Sequence, residues 1–188
     1  MLQSTLIGTA TYLQRNLEKM SVLSDELHNY FLSFKLELLD RWPSIVGDEV
    51  YEFILELEDK NKQLREIISM NLGAAQFITD NEHIEKMLNN NLTEDDEILL
   101  REMFQKLTDI RGHVNEPLNS YYDILFNIFH PQNIEIRQKY INNHVIEHSI
   151  ARWIDEQLLI LHELGKTTAI IDAENGIGAI IRSYYLEQ

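Results

Sequence analysis

Apolar residues return at three- and four-residue steps along most of the chain, the spacing that gathers them on one side of an α-helix. The first such stretch runs from about Leu2 to Met20 and a second from about Val22 to Arg41, with Ser21 or Ser24 as the cap between them and Trp42-Pro43 as the stop. From Asp48 the stripe continues through Val50, Phe53, Ile54, Leu57, Leu64, Ile67 and Ile68, and Gly73 is placed to end or pack that helix. After Asn89-Asn90-Asn91, Thr93 reads as an N-cap for Glu94-Asp95-Asp96, because carboxylates in a first turn meet the positive end of the helix dipole. Leu100, Met103, Phe104, Leu107 and Ile110 form the next stripe. Gly112 and Pro117 bracket an expected break, with Pro117 in the first turn of a helix reaching Phe129. His130-Pro131 interrupts again, and a long helix is expected from about Asn133 to Leu164, closed by Gly165.

The C-terminal segment has a different pattern. Thr167 to Ile171 and Ala179 to Tyr185 are β-prone runs flanking Glu174-Asn175-Gly176, and Asn-Gly is a strong turn signal. The same residues also suit one more buried helix, so a short hairpin and an extra helix both stand. The pattern as a whole predicts an all-α, up-and-down bundle. It reads as one domain over residues 1–188, with an N-terminal helical extension at 1–35 and an appended segment at 165–188.

Composition narrows the chemistry. The 188 residues are 44% hydrophobic and 25% charged, enough apolar content for a sizeable core. With no cysteine, a disulfide framework, thiolate catalysis and cysteine-ligated metal are excluded. The start of the chain has no basic residue before Arg15, which is unlike a secretory signal, and no apolar run approaches the roughly 18 residues of a membrane span. A cytoplasmic location is the expectation. The 31 acidic against 16 basic side chains give a formal net charge of −15, which repels a phosphate backbone and an anionic lipid surface but suits a basic protein.

The residue patterns that carry catalysis elsewhere are sparse. His144-Val145-Ile146-Glu147-His148 places two histidines four residues apart around a glutamate, the arrangement of inverted zinc proteases, but the chain lacks room for the large domain that carries that motif; solvated or core-edge histidines are the plainer reading. Arg137 and His144 share the arginine-to-histidine spacing of helical HEPN ribonucleases, against which the net negative charge speaks. No phosphate-binding glycine loop and no nucleophile elbow occurs. The run Glu94 to Glu97 is explained by a solvated helix start, and Tyr121, Tyr122, Phe126 and Phe129 by a helical core.

One polar stripe has a more specific reading: His148, Arg152 and Glu156 follow at four-residue steps beside Trp153 and Ile154. An arginine drawn into a bundle needs a carboxylate, which Glu156 can supply along the helix and Asp40 across it. The segment Ala151-Arg152-Trp153-Ile154-Asp155-Glu156-Gln157-Leu158-Leu159-Ile160 resembles the late-helix motif of the Rsd/AlgQ family, bacterial regulators that bind the primary sigma factor of RNA polymerase. Three earlier segments match that family in the same order: Leu38-Leu39-Asp40-Arg41-Trp42, Leu72-Gly73-Ala74-Ala75-Gln76-Phe77, and Tyr121-Tyr122-Asp123. The chain departs from the family at Pro43, Ala75, Gln76 and Gln157. The resemblance implies a non-enzymatic protein, without cofactor or metal, that sequesters the sigma factor through its basic promoter-reading region. It implies Asp40, Arg41, Trp42, Phe77, His148, Arg152 and Glu156 as family-motif or partner-binding positions, some of which, Trp42 first, serve the bundle itself. The other readings are a different acidic helical inhibitor, of the immunity-protein or phage-encoded kind, and a metal-binding protein using His144 and His148. The oligomeric state is open.

Overall fold

The computed structural model describes residues 2–41, 48–80, 82, 85–86, 89, 91–107, 110–129 and 148–171. Within these, five α-helices occur: α1 (Leu2–Arg41), α2 (Asp48–Thr79), α3 (Glu94–Leu107), α4 (Ile110–Ile124) and α5 (His148–Ile171). A π-helical turn, Leu125–Phe129, prolongs α4. The fold is the all-α helical bundle that the periodicity predicts, and no strand occurs among the described residues.

The buried positions keep a strict rhythm. On α1 they are Leu13, Leu17, Met20, Ser24, Leu27, Phe31, Phe34 and Leu38, and on α2 Ile54, Leu57, Asn61, Leu64, Ile68, Asn71, Ala75 and Ile78, with Ala74 buried beside Ala75. Ile154, Gln157, Leu161, Leu164, Thr168 and Ile171 repeat it on α5, where Ile160 and Thr167 widen the buried stripe. Alternating steps of three and four average 3.5 residues, slightly short of the helical repeat, and a stripe with that period stays on one face only if the helices supercoil left-handedly.

This rhythm explains why several local stop signals fail. Ser21 and Ser24 do not start a new helix, because α1 runs unbroken from Leu2 to Arg41. Ser24 is a buried position in the repeat between Met20 and Leu27, and with no proline nearby, packing on both sides outweighs a serine's capping preference. Gly73 neither ends nor packs α2, which continues to Thr79; a Cβ there would meet nothing within 4 Å. Gly112 lies inside α4, as does Pro117, so no break separates them; the Pro117 ring is buried on the side of Val114 and Tyr121. Gly165 does not close α5, since Thr168 and Ile171 carry the buried rhythm onward. The β-prone run Thr167 to Ile171 is therefore helix, the last turns of α5. Residues 133–147 of the expected long helix and the rest of the expected hairpin lie outside the described residues.

The chain divides into two compact units, each gathered from distant pieces of sequence. One comprises Met1–Val22, Glu66–Val114 and Lys166–Gln188, the other Leu23–Arg65 and Asn115–Gly165. In the first unit, Thr93 caps α3 as expected: its Oγ1 accepts from the Asp96 amide at 3.2 Å, while the Asp96 carboxylate accepts from the Thr93 amide at 3.1 Å, a reciprocal capping box. Thr79 Oγ1 donates to Gln14 Oε1 at 2.7 Å, tying α2 to α1. In the second unit, Asp25 pairs with Arg65, His28 meets Asn61, and Lys35 pairs with Glu58. Rising numbers on α1 answer falling numbers on α2, so there the two helices are antiparallel.

Candidate functional site

The second unit holds a polar layer where the heptad rhythm calls for leucine. Asn61 stands between Leu57 and Leu64 on α2, Gln157 between Ile154 and Leu161 on α5, and Tyr121 between Val114 and Ile124 on α4; all three are buried. The Tyr121 hydroxyl donates to Gln157 Oε1 at 2.5 Å, and Gln157 Nε2 donates to the Trp153 carbonyl at 3.0 Å. His28 Nδ1 lies 2.9 Å from Asn61 Oδ1, a contact that becomes a hydrogen bond in the tautomer that carries its proton on Nδ1. Residues of four helices thus meet at one level.

Burial drives the Tyr121 hydroxyl well above the ordinary tyrosine range, with Asn61 opposing the rise. Asn61 Nδ2 is buried and makes no hydrogen bond of proper geometry. The phenol stays protonated and donates to Gln157, which ties α4 to α5. Phe31 meets the Tyr121 ring edge-on at 6.4 Å, closing the layer from α1.

Next to this layer stands part of the predicted polar stripe. Arg152 is exposed, and its guanidinium rests over the Trp153 ring at 5.7 Å. The expected ion pairs to Glu156 or Asp40 are not formed among the described residues: an arginine left in water needs no carboxylate, and the indole face holds it instead. Trp153 in turn packs against Tyr30 of α1 at 5.5 Å. Glu156 is half-buried and Asp40 exposed near the end of α1. Phe77 is half-buried on α2 and belongs to the first unit, whereas Asp40, Arg152 and Glu156 belong to the second. Trp42, Arg137 and His144 lie outside the described residues, as do the side chains of Arg41 and His148. No group of three or more histidines and carboxylates placed to hold a metal occurs among the described residues.

Among the described residues, exposed carboxylates outnumber exposed lysines and arginines. Lys35, Lys60, Arg65 and Lys86 are each taken up by an acidic neighbour, Glu58, Glu116, Asp25 and Glu82 respectively. The Lys86 ammonium is held up chiefly by its hydrogen bond to Glu82, against the lowering effect of burial, with the Asp96 charge adding to the rise. Glu52, Glu56, Glu94, Asp95, Glu97 and Glu102 are exposed, and no described ion pair engages them. Large apolar side chains stand among them, including Tyr51, Leu55, Ile98 and Leu99.

The polar layer was not anticipated from sequence, although the signal was there: a strict heptad reading puts Asn61 and Gln157 at core positions. Tyr121 is the core aromatic expected of it, whereas Tyr122 and Phe126, one turn apart where α4 passes into the π turn, stack on each other at 5.6 Å with ring planes 7° apart. No helix among the described residues is long and apolar enough to cross a membrane. Comparison with protein families, with curated proteins and with solved structures finds none that this chain matches.

Proposed function

We propose that this chain is a non-enzymatic, protein-binding regulator that holds a basic helical partner on its acidic surface, and that the partner is the primary sigma factor of RNA polymerase. The observation that carries the reading is the surface itself. Exposed carboxylates outnumber exposed lysines and arginines along the described helices, interspersed with exposed leucine, isoleucine and tyrosine, in a chain of net charge −15. Such a surface attracts a basic module over a distance of about a Debye length, roughly 10 Å at moderate salt, and its apolar side chains then contribute contact area. The choice of sigma factor comes from the Asp40-Arg41-Trp42 and Arg152-to-Ile160 segments that resemble the Rsd/AlgQ family.

Gel filtration of the purified chain with purified primary sigma factor tests the proposal. Co-elution at low salt that is lost at high salt is the expected outcome, and separate elution at low salt contradicts it.

A further inference from the structure

The outer side of the α1–α2 pair carries apolar residues that the core does not use. Lys35 Nζ lies 2.9 Å from both carboxylate oxygens of Glu58, which marks the side on which the two helices meet at the surface. Residues three before or four after a helical position share its side. Around Lys35 these are Leu32 and Leu39, and behind Glu58 they are Leu55 and, one turn earlier, Tyr51. Leu36, one turn after Leu32, extends the patch and is 60% exposed, with Tyr51 at 47% and Leu55 at 44%. The inward needs of these helices are met by Phe31, Phe34, Leu38, Ile54 and Leu57, so the patch is surplus to the fold. Asp40, Glu52 and Glu56 stand exposed beside it on the same two helices, and no described ion pair engages them.

We infer that this face is the docking site for one amphipathic helix of a basic protein. The helix lays its apolar side on Leu32, Leu36, Tyr51 and Leu55 and its lysines and arginines over Asp40, Glu52 and Glu56. The inference rests on the partner-binding reading above and gives it a place. Charge decides the occupant: a second copy would bring its own Asp40, Glu52 and Glu56 to a face already lined by them, whereas a basic helix meets opposite charge and covers the leucines in one step. Ile98 and Leu99 on α3 are also exposed, but the carboxylates before them are accounted for by the capping box and the helix dipole.

The test uses the full chain and a synthetic amphipathic helix of leucine and lysine, with a scrambled peptide of the same composition and polylysine as controls. The amphipathic peptide binds and protects the backbone over 32–40 and 51–59 from hydrogen exchange. The exposed-site double variant Leu36→Ser/Leu55→Ser keeps its helicity and binds roughly tenfold more weakly or worse. Glu52→Gln/Glu56→Gln weakens binding severalfold and flattens its salt dependence. Protection elsewhere, equal binding of the scrambled peptide or polylysine, or unchanged affinity of the leucine variant overturns the assignment. So does light scattering that shows the parent chain as a dimer and the leucine variant as a monomer. Primary sigma factor run in parallel separates the two claims: sigma bound equally by parent and leucine variant removes this face and leaves the function, whereas peptide bound here without any sigma binding removes sigma and leaves the face.

Discussion

Replacing Tyr121 by phenylalanine isolates the polar layer in a single atom. The ring keeps its packing against Phe31, but Gln157 Oε1 loses its donor in a side chain with no exposure to water. An orphaned buried acceptor costs about 1 to 3 kcal/mol, and part of that is offset because a hydroxyl no longer has to be buried. The expected destabilisation is about 1.5 kcal/mol, which for a chain of this length lowers Tm by about 3 to 6 °C. Gln157→Leu orphans the other partner and costs a similar amount. The double variant Tyr121→Phe/Gln157→Leu removes both polar atoms and leaves the Trp153 carbonyl its ordinary backbone partner, so it recovers most of the loss, with a coupling energy of about 1 to 2 kcal/mol. Urea unfolding followed by far-ultraviolet circular dichroism measures all four corners of the cycle. Two results refute the reasoning: Tyr121→Phe within about 0.5 kcal/mol of the parent, or a double variant that costs the sum of the singles.

Other outcomes follow from the same structure. The raised Tyr121 hydroxyl ionises in the unfolded chain first, near the ordinary tyrosine value of about 10, so the folded state loses stability as pH rises through and above that value. Tyr121→Phe makes that alkaline fall shallower, which denaturant melts at a series of alkaline pH values check. Gly73→Ala adds a helix-favouring residue in open space, and Gly165→Ala places a Cβ 4.0 Å from Leu118 Cδ2, an ordinary contact; each raises stability by about 0.5 to 1 kcal/mol, read from the shift in Tm. Thr93→Ala removes the α3 cap and lowers stability by about 1 kcal/mol, with faster amide exchange confined to the first turn of α3.

Hydrophobic spacing made the helices legible, because an amphipathic stripe is a property of neighbouring residues and needs no knowledge of the fold. The Thr93 cap was legible for the same reason: Thr93 and Asp96 are three residues apart, and their bonds are local. The boundaries were not. Ser21, Gly112, Pro117 and Gly165 carry local preferences against continuing that run from about 0.5 kcal/mol for serine to about 3 kcal/mol for proline, and the burial of Met20, Leu27, Val114, Tyr121 and Ile171 along the same helices outweighs them. The Tyr121–Gln157 bond joins residues 36 apart and His28–Asn61 residues 33 apart, so each belongs to the tertiary arrangement and only its heptad position shows in the sequence. Arg152 went the other way: the expectation of a carboxylate partner assumed burial, and exposure beside Trp153 removes the need for one.

On the proposed function, the excess of carboxylates recruits a basic protein partner. Titration calorimetry of the chain with purified primary sigma factor, at about 0.05 M and about 0.3 M salt, addresses it most directly. A saturable complex forms at the lower salt, and its Kd weakens by about tenfold or more at the higher, if carboxylates recruit the partner. No heat of binding at the lower salt, or an affinity indifferent to salt, contradicts it.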